Sequence, residues 1–116
     1  LHDIGVSLVG MMLEGAAFEV TYMGPDVPPD EFLKKVEETD AQVLCLSAML
    51  TTTIKNMKNT IARAEELDMR NRVKIYVGGA PVTDQFAREI EADGYAPDAG
   101  SAVKMIRQHL GASTAP

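Results

Sequence analysis

From Gly5 to Ala17 the chain reads GVSLVGMMLEGAA, almost wholly apolar. Leu8 and Met12 fall on one helical face and Val9 and Leu13 on the next, which predicts a buried helix ending near Gly15. Apolar and polar positions then alternate from Phe18 to Met23 (FEVTYM), the pattern of a strand. GPDVPPD is a turn-rich loop that enters a helix through Pro28, Pro29 and Asp30, and that helix, DEFLKKVEE, turns Phe32, Leu33 and Val36 inward. AQVLCLS is a continuous apolar run and predicts a strand covered on both faces. After AMLTTT comes a long helix whose apolar residues Ile54, Met57, Ile61, Ala64 and Leu67 fall at spacings of three and four. VKIYVGG predicts a further strand ending in Gly78 and Gly79. TDQFAREIEA follows as a short helix with Phe86 and Ile90 inward. Asp98 has the character of an N-cap for a closing helix that packs through Ala102, Val103, Ile106 and Leu110.

Strand-like runs alternating with helical periodicities specify an α/β fold: a doubly wound, flavodoxin-like Rossmann parallel sheet with helices on both faces. We expect one domain over residues 1–112 and a disordered tail over 113–116, with no internal repeat. The order contains one anomaly. The chain opens on a helix, whereas a doubly wound fold opens on a strand that sits inside the sheet, and omitting it would leave backbone groups unpaired in the core. The expectation is an N-terminally truncated domain whose first strand precedes Leu1.

Composition narrows the partners. With 116 residues, 46% hydrophobic and 24% charged, the chain has the makeup of one globular domain. Its 11 basic and 17 acidic residues give a net charge of -6, and no basic stripe is present, which argues against nucleic acid. No apolar run approaches the roughly 18 residues that cross a bilayer, and no targeting segment is visible, so a cytoplasmic location and no membrane contact are expected. The single cysteine, Cys45, cannot form an internal disulfide, and within VLCLS it reads as a small hydrophobe. Glu37, Glu38 and Asp40 form either a solvated helix face or a dock for a basic partner.

Ligands of open α/β sheets bind beyond the C-terminal ends of the strands. Three loops qualify: LHDIG at the start, SAMLTTT after the strand ending at Ser47, and GGAPVT after the strand ending at Val77. His2 could be a metal ligand, a catalytic base or a half-buried bystander. Gly78 and Gly79 either form a tight turn or let another molecule approach the backbone. Ser47 and Thr51 to Thr53 either donate hydrogen bonds to a ligand or cap the following helix. A structural zinc site is disfavoured, because it needs four ligands and the chain has one Cys and two His. His109 is expected only to favour the dipole at its helix end. No Gly-rich phosphate loop follows a first strand, which weighs against a nucleotide- or flavin-binding domain. Nor does any acid/base set for independent catalysis stand out.

Taken together, these three motifs resemble the cobalamin-binding domain shared by corrinoid methyl-carrier proteins, methionine synthase and several carbon-skeleton mutases. That family's signature is Asp-x-His-x-x-Gly, then Ser-x-Leu, then Gly-Gly, and the resemblance spans the whole chain. It implies that His2 is the lower axial ligand to cobalt, with Asp3, Ile4 and Gly5 also at the cofactor, and that the carboxylate orienting His2 lies two residues ahead of it, outside this sequence. Ser47 and Thr51 would bond the displaced base and tail, and Thr53 would complete the relay to the histidine. Gly78 and Gly79 would give the tail room, and Ala99 would sit beside the corrin or tail. One position departs from the pattern: Met49 stands where the family has leucine, a change that keeps the volume. LSAMLTTT, GGAPVT and ADGYAPDA are most similar to corrinoid proteins of anaerobic methyltransferase systems. The resemblance therefore implies a carrier that binds cobalamin base-off/His-on and shuttles a methyl group on cobalt between a donor-specific and an acceptor methyltransferase. The alternatives are the cobalamin domain of an adenosylcobalamin-dependent mutase and a cobalamin-sensing regulator.

Overall fold

The structure is a computed structural model that describes residues 13–15, 18–23, 27–48 and 51–109, without the side chains of 51–53. Among these residues the chain runs α1 (Pro29–Thr39), β1 (Val43–Ser47), α2 (Thr51–Glu66), a 3₁₀ turn (Arg70–Arg72), β2 (Lys74–Gly78), α3 (Asp84–Glu89), β3 (Gly94–Ala96) and α4 (Ala99–His109). The strands form a parallel sheet in the order β1-β2-β3. This is the expected Rossmann-like α/β architecture.

Local chemistry accounts for the helix ends. Pro29 opens α1 where its missing N–H costs nothing, Asp30 and Glu31 sit in the first turn, and Asp40 closes the helix in the left-handed region at φ 55. Leu33 and Val36 are buried from α1, and Met57, Ile61 and Ala64 from α2. Thr60 is fully buried on α2, and its hydroxyl donates to the Asn56 carbonyl at 2.7 Å, so the burial leaves no polar atom unpaired. The Asn56 side-chain amide in turn donates to the Val27 carbonyl at 2.8 Å, tying the segment before α1 to α2.

Strand alternation divides the packing into two layers. Leu44, Leu46, Ile75 and Val77 share a core with residues of α1, α2 and α3. Tyr76 points to the other face, where it packs with Leu13, Val103 and Ile106, flanked by Phe18, Val20 and Met105. Helices therefore cover both faces, and among the described residues α4 is the main cover of the second.

The N-terminal end of the sheet is clamped by one charged group. Asp93 Oδ2 accepts from the Ile75 N–H at 2.7 Å and from Arg70 Nη1 at 3.0 Å. The Arg70 guanidinium also donates to the carbonyls of Glu91 and Val73 at 2.7 and 3.3 Å. Both side chains are mostly buried, with exposures of 18% and 22%. The remaining ion pairs, such as Arg63 with Asp30 and Arg72 with Glu37 and Asp40, lie on the surface, where each contributes little. On this exposed face Lys35 of α1 pairs with Glu38, and Arg72 of the 3₁₀ turn with Glu37 and Asp40.

Several expectations are corrected. Residues 18–23 form no strand, although their alternation survives: Phe18 and Val20 turn inward and Glu19 and Thr21 outward. A strand needs a neighbour to bond to, and no described strand pairs with this segment. Leu67 is 42% exposed, because α2 ends at Glu66 and the chain turns away. Thr51 to Thr53 belong to the first turn of α2 and not to the loop before it. β3 lies inside ADGYAPDA, where three residues carry too little alternation to be noticed. Cys45 is exposed rather than buried within a doubly covered strand. Leu110 and the tail lie outside the described residues, as do most of the first predicted helix and the chain start.

Replacing Asp93 by alanine strips the partner from a backbone N–H and from Arg70. The expected loss is about 1–3 kcal/mol of unfolding free energy in urea titrations, whereas alanine at exposed Asp84 should change it far less.

Candidate functional site

Parallel pairing aligns the strand ends. Ser47 of β1 stands opposite Gly78 of β2, and Gly78 stands opposite Ala96 of β3. These three positions form one row at the C-terminal edge of the sheet, and every side chain in it is small. From this edge the chain enters α2 at Thr51, α3 at Asp84 and α4 at Ala99.

The backbone itself demands small residues here. A Cβ on Gly78 would lie 2.8 Å from the Ala96 carbonyl oxygen. Gly79 has φ +113, and a Cβ there would come within 2.9 Å of the Ala48 nitrogen and closer still to its carbonyl oxygen. Glycine alone accommodates both the torsion and the approach. The two loops are joined by the Ala48 N–H, which donates to the Gly78 carbonyl at 3.2 Å, and the second loop closes on itself through the Val82 N–H, which donates to the Gly79 carbonyl at 3.0 Å. The paired glycines therefore form a tight turn pressed against the neighbouring loop.

Helix caps finish this edge. The Thr83 hydroxyl accepts from the Phe86 N–H at 3.1 Å to start α3. Asp98 Oδ1 accepts from the Ser101 N–H at 2.7 Å to start α4, as its sequence context predicts. That bond holds the Asp98 carboxyl below the usual carboxylate range. Ala99, the first residue of α4, is half-buried.

Of the residues anticipated from sequence, the fold brings Ser47, Gly78, Gly79 and Ala99 to this edge. Thr51 and Thr53 reach it through their backbone in the first turn of α2, and their side chains are outside the description. His2, Asp3, Ile4, Gly5 and Met49 also lie outside the described residues. Among the described residues no group of three or more His, Cys, Asp and Glu side chains could hold a metal. Ala48 and Ala96 complete the edge and carried no sequence signal, since alanine is as common in cores as at sites.

His109 does more than complement a dipole. Its Nδ1 is hydrogen-bonded to the Tyr76 hydroxyl, and the ring centroids are 5.3 Å apart. Burial, with smaller contributions from Asp93 and Cys45, pushes the Tyr76 phenol up to about 12, so it stays neutral. Two grooves open on the surface. One of about 430 Å³ is lined by Pro28, Asp30, Arg63 and Glu66, the other of about 340 Å³ by Lys104, Arg107 and Gln108. Neither contains a residue of the row.

The B12 binding domain family matches residues 1–104. The chain belongs to this family. Dimethylamine corrinoid protein 3 of Methanosarcina acetivorans is 44% identical to this B12-binding domain over 110 residues, which make up 95% of the chain and 52% of that protein. The solved Methanosarcina barkeri monomethylamine corrinoid protein is 34% identical with a TM-score of 0.87, covering 93% of this chain and 52% of its own. The methanol:cobalamin methyltransferase complex MtaBC from the same organism gives a TM-score of 0.87 at 27% identity, over 95% of this chain and 42% of that one. The chain thus spans about half the length of the curated relatives it matches.

The edge of this B12-binding domain fits the slender tail of such a cofactor. No side chain in the Ser47, Gly78 and Ala96 row projects far beyond the strand ends, so a ligand can lie against backbone there. In Gly79→Ala the new methyl would meet the Ala48 backbone at an unfavourable torsion. A loss of at least about 2 kcal/mol of stability is expected in urea titrations. Asp98 supplies a pH-dependent prediction. Its folded pKa is depressed, so its stabilisation is present above the unfolded value of about 4 and is lost as pH falls through the folded one. Thermal melts should show wild type above Asp98→Ala at pH about 6, with the gap closing below pH about 4.

Proposed function

We propose that this domain binds cobalamin base-off/His-on and serves as the carrier component of a methyltransferase system, passing a methyl group between a donor-specific and an acceptor methyltransferase. The observation that carries this reading is the bare row of Ser47, Gly78 and Ala96 at the strand ends of a B12-binding domain. The likeness to dimethylamine and monomethylamine corrinoid proteins and to a methanol:cobalamin methyltransferase complex favours the carrier over a mutase or a sensor.

In this reading Ser47 and Thr51 bond the cofactor's displaced base and tail, while Gly78 and Gly79 keep the entrance clear. Ala99 adds a small apolar surface at the start of α4. His2 would supply a neutral imidazole nitrogen to the metal, with Asp3, Ile4 and Gly5 beside it and Thr53 orienting it through the relay. Met49 would pack against the corrin. When bound, the cofactor supplies a cobalt centre able to hold a methyl group, and the protein contributes ligation and exposure. A cytoplasmic location goes with this assignment, and no described helix is long and apolar enough to cross a membrane.

Incubation with hydroxocobalamin followed by gel filtration should leave corrin absorption bands on the protein, whereas a colourless protein overturns the assignment. His2→Ala should keep its far-UV circular dichroism and lose the base-off, His-on spectrum. An unchanged visible spectrum in that variant rules out His2 as the axial ligand.

A further inference from the structure

Charge is spread unevenly over the helices. α1 and α2 each mix acids with bases, as Glu31 and Lys34 do in α1 and Lys58 and Glu65 in α2. α4, AGSAVKMIRQH, carries Lys104, Arg107 and His109 and no acid, in a chain whose net charge is -6. The negative end of the helix dipole accounts for Arg107 and His109 in the last turn, but not for Lys104 in the middle of the helix.

Pairing sets the same helix apart. Arg63, Arg70, Arg72 and Arg88 each meet a carboxylate, at 2.7, 3.0, 3.5 and 2.7 Å respectively. Among the described residues, Arg107 and Lys104 meet none. Both are exposed, as are Gly100 and Gln108, and these four line the groove of about 340 Å³ together with an edge of Val103. Positions 100, 104 and 107 follow one another at spacings of four and three, which makes them one stripe along α4. From Gly100 to Gln108 the stripe runs roughly 12 Å, a little over two turns.

The fold itself does not demand Gly100. A Cβ there would meet only the Asp98 carboxylate, at 3.5 Å, an ordinary contact. Glycine in a helix is less stable than alanine, and here it leaves bare backbone at one end of the stripe, where a second chain can come close. α4 is also fixed beneath the stripe. Val103 and Ile106 pack on Tyr76, and the His109 ring is bonded to the Tyr76 hydroxyl. The groove is therefore preformed.

We propose that this stripe docks an acidic amphipathic helix of a partner protein. Such a helix sets an apolar side chain over Gly100 and Val103, between the aliphatic stems of Lys104 and Arg107, and brings its carboxylates to their charged ends. Charge complementarity selects this occupant. Two cations on a chain of net charge -6 are too few to hold a polyphosphate. Ala102, Val103 and Ile106 are buried, which leaves α4 no apolar face to enter a lipid surface. The inference goes beyond the cofactor reading and stands without it, because the stripe shares no residue with the Ser47, Gly78 and Ala96 row.

The probe is a synthetic peptide of roughly 18 residues, long enough for partial helicity, with leucine along one face and glutamate elsewhere. A version with lysine for glutamate, phosphatidylglycerol vesicles and single-stranded DNA serve as comparisons. Binding is read by fluorescence anisotropy and by amide chemical shifts of the isotope-labelled protein. The glutamate peptide should bind more tightly than the lysine one, shift the amides of residues 99–109, and weaken several-fold as salt rises from about 0.05 to about 0.5 M. Lys104→Glu/Arg107→Glu should weaken it at least about tenfold. Lys55→Glu/Lys58→Glu, which makes the same change in net charge at exposed positions of α2, should alter the affinity less than about twofold. If the first variant does not fold, the wild-type shift pattern still decides. Absence of glutamate-peptide binding at millimolar concentration, equal affinity in the two double variants, or shifts centred away from α4 overturn the proposal. Tighter binding of the vesicles or the DNA than of the glutamate peptide overturns it in favour of a lipid or nucleic-acid surface.

Discussion

The close approach of the β1 and β2 ends is the constraint on which the remaining structure depends. Ala48 donates to the Gly78 carbonyl while the Gly79 backbone lies against Ala48, where no side chain fits, and a Cβ on Gly78 would meet the Ala96 carbonyl of β3. This contact holds two parallel strands in the register that sets Ser47 opposite Gly78. Once that register is set, the following helices must start from the same edge, because a parallel sheet returns the chain on its faces. The convergence of α2, α3 and α4 at one edge is thus a consequence of backbone packing between two small residues.

The two ends of the sheet are built on opposite principles. At the N-terminal end, Arg70 and Asp93 join β2, the turn before it and the segment before β3 through charge-assisted hydrogen bonds in a mostly buried setting. At the C-terminal end the same strands finish in serine, glycine and alanine. The first arrangement carries rigidity without occupying the site. The second ends the strands in small side chains, of which Ser47 is exposed and Ala96 buried.

The faces of the sheet differ as well. α1, α2 and α3 seal one face through Leu33, Val36, Met57, Ile61 and Ala87. Among the described residues the other face is covered mainly by α4, whose Val103 and Ile106 meet Tyr76 beside Leu13. Polar groups within this second layer are satisfied rather than absent, as the hydroxyl of Tyr76 shows by bonding His109 at the end of α4.

Local periodicity determined much of this protein by itself. The inward faces of α1, α2 and α4, the N-cap at Asp98, two of the three described strands and the glycine pair all follow from spacing and side-chain chemistry within a few residues. Other features depended on what the chain meets far along its length. β3 is too short to display a period and exists because β2 offers it partners. Residues 18–23 show a perfect strand pattern and pair with no described strand. Leu67 continues the periodicity of α2 past the helix's end at Glu66, just before Asp68, at φ 60, turns the chain. Cys45 sits in an apolar run yet faces open space, and His109 found Tyr76 across 33 residues. Motif residues such as Ser47 and Gly78 could be named from the sequence, but their placement in one row with Ala96 required the register. Periodicity is a property of neighbouring residues, whereas register and the covering of a face are agreements between distant ones, and only the tertiary structure decides those.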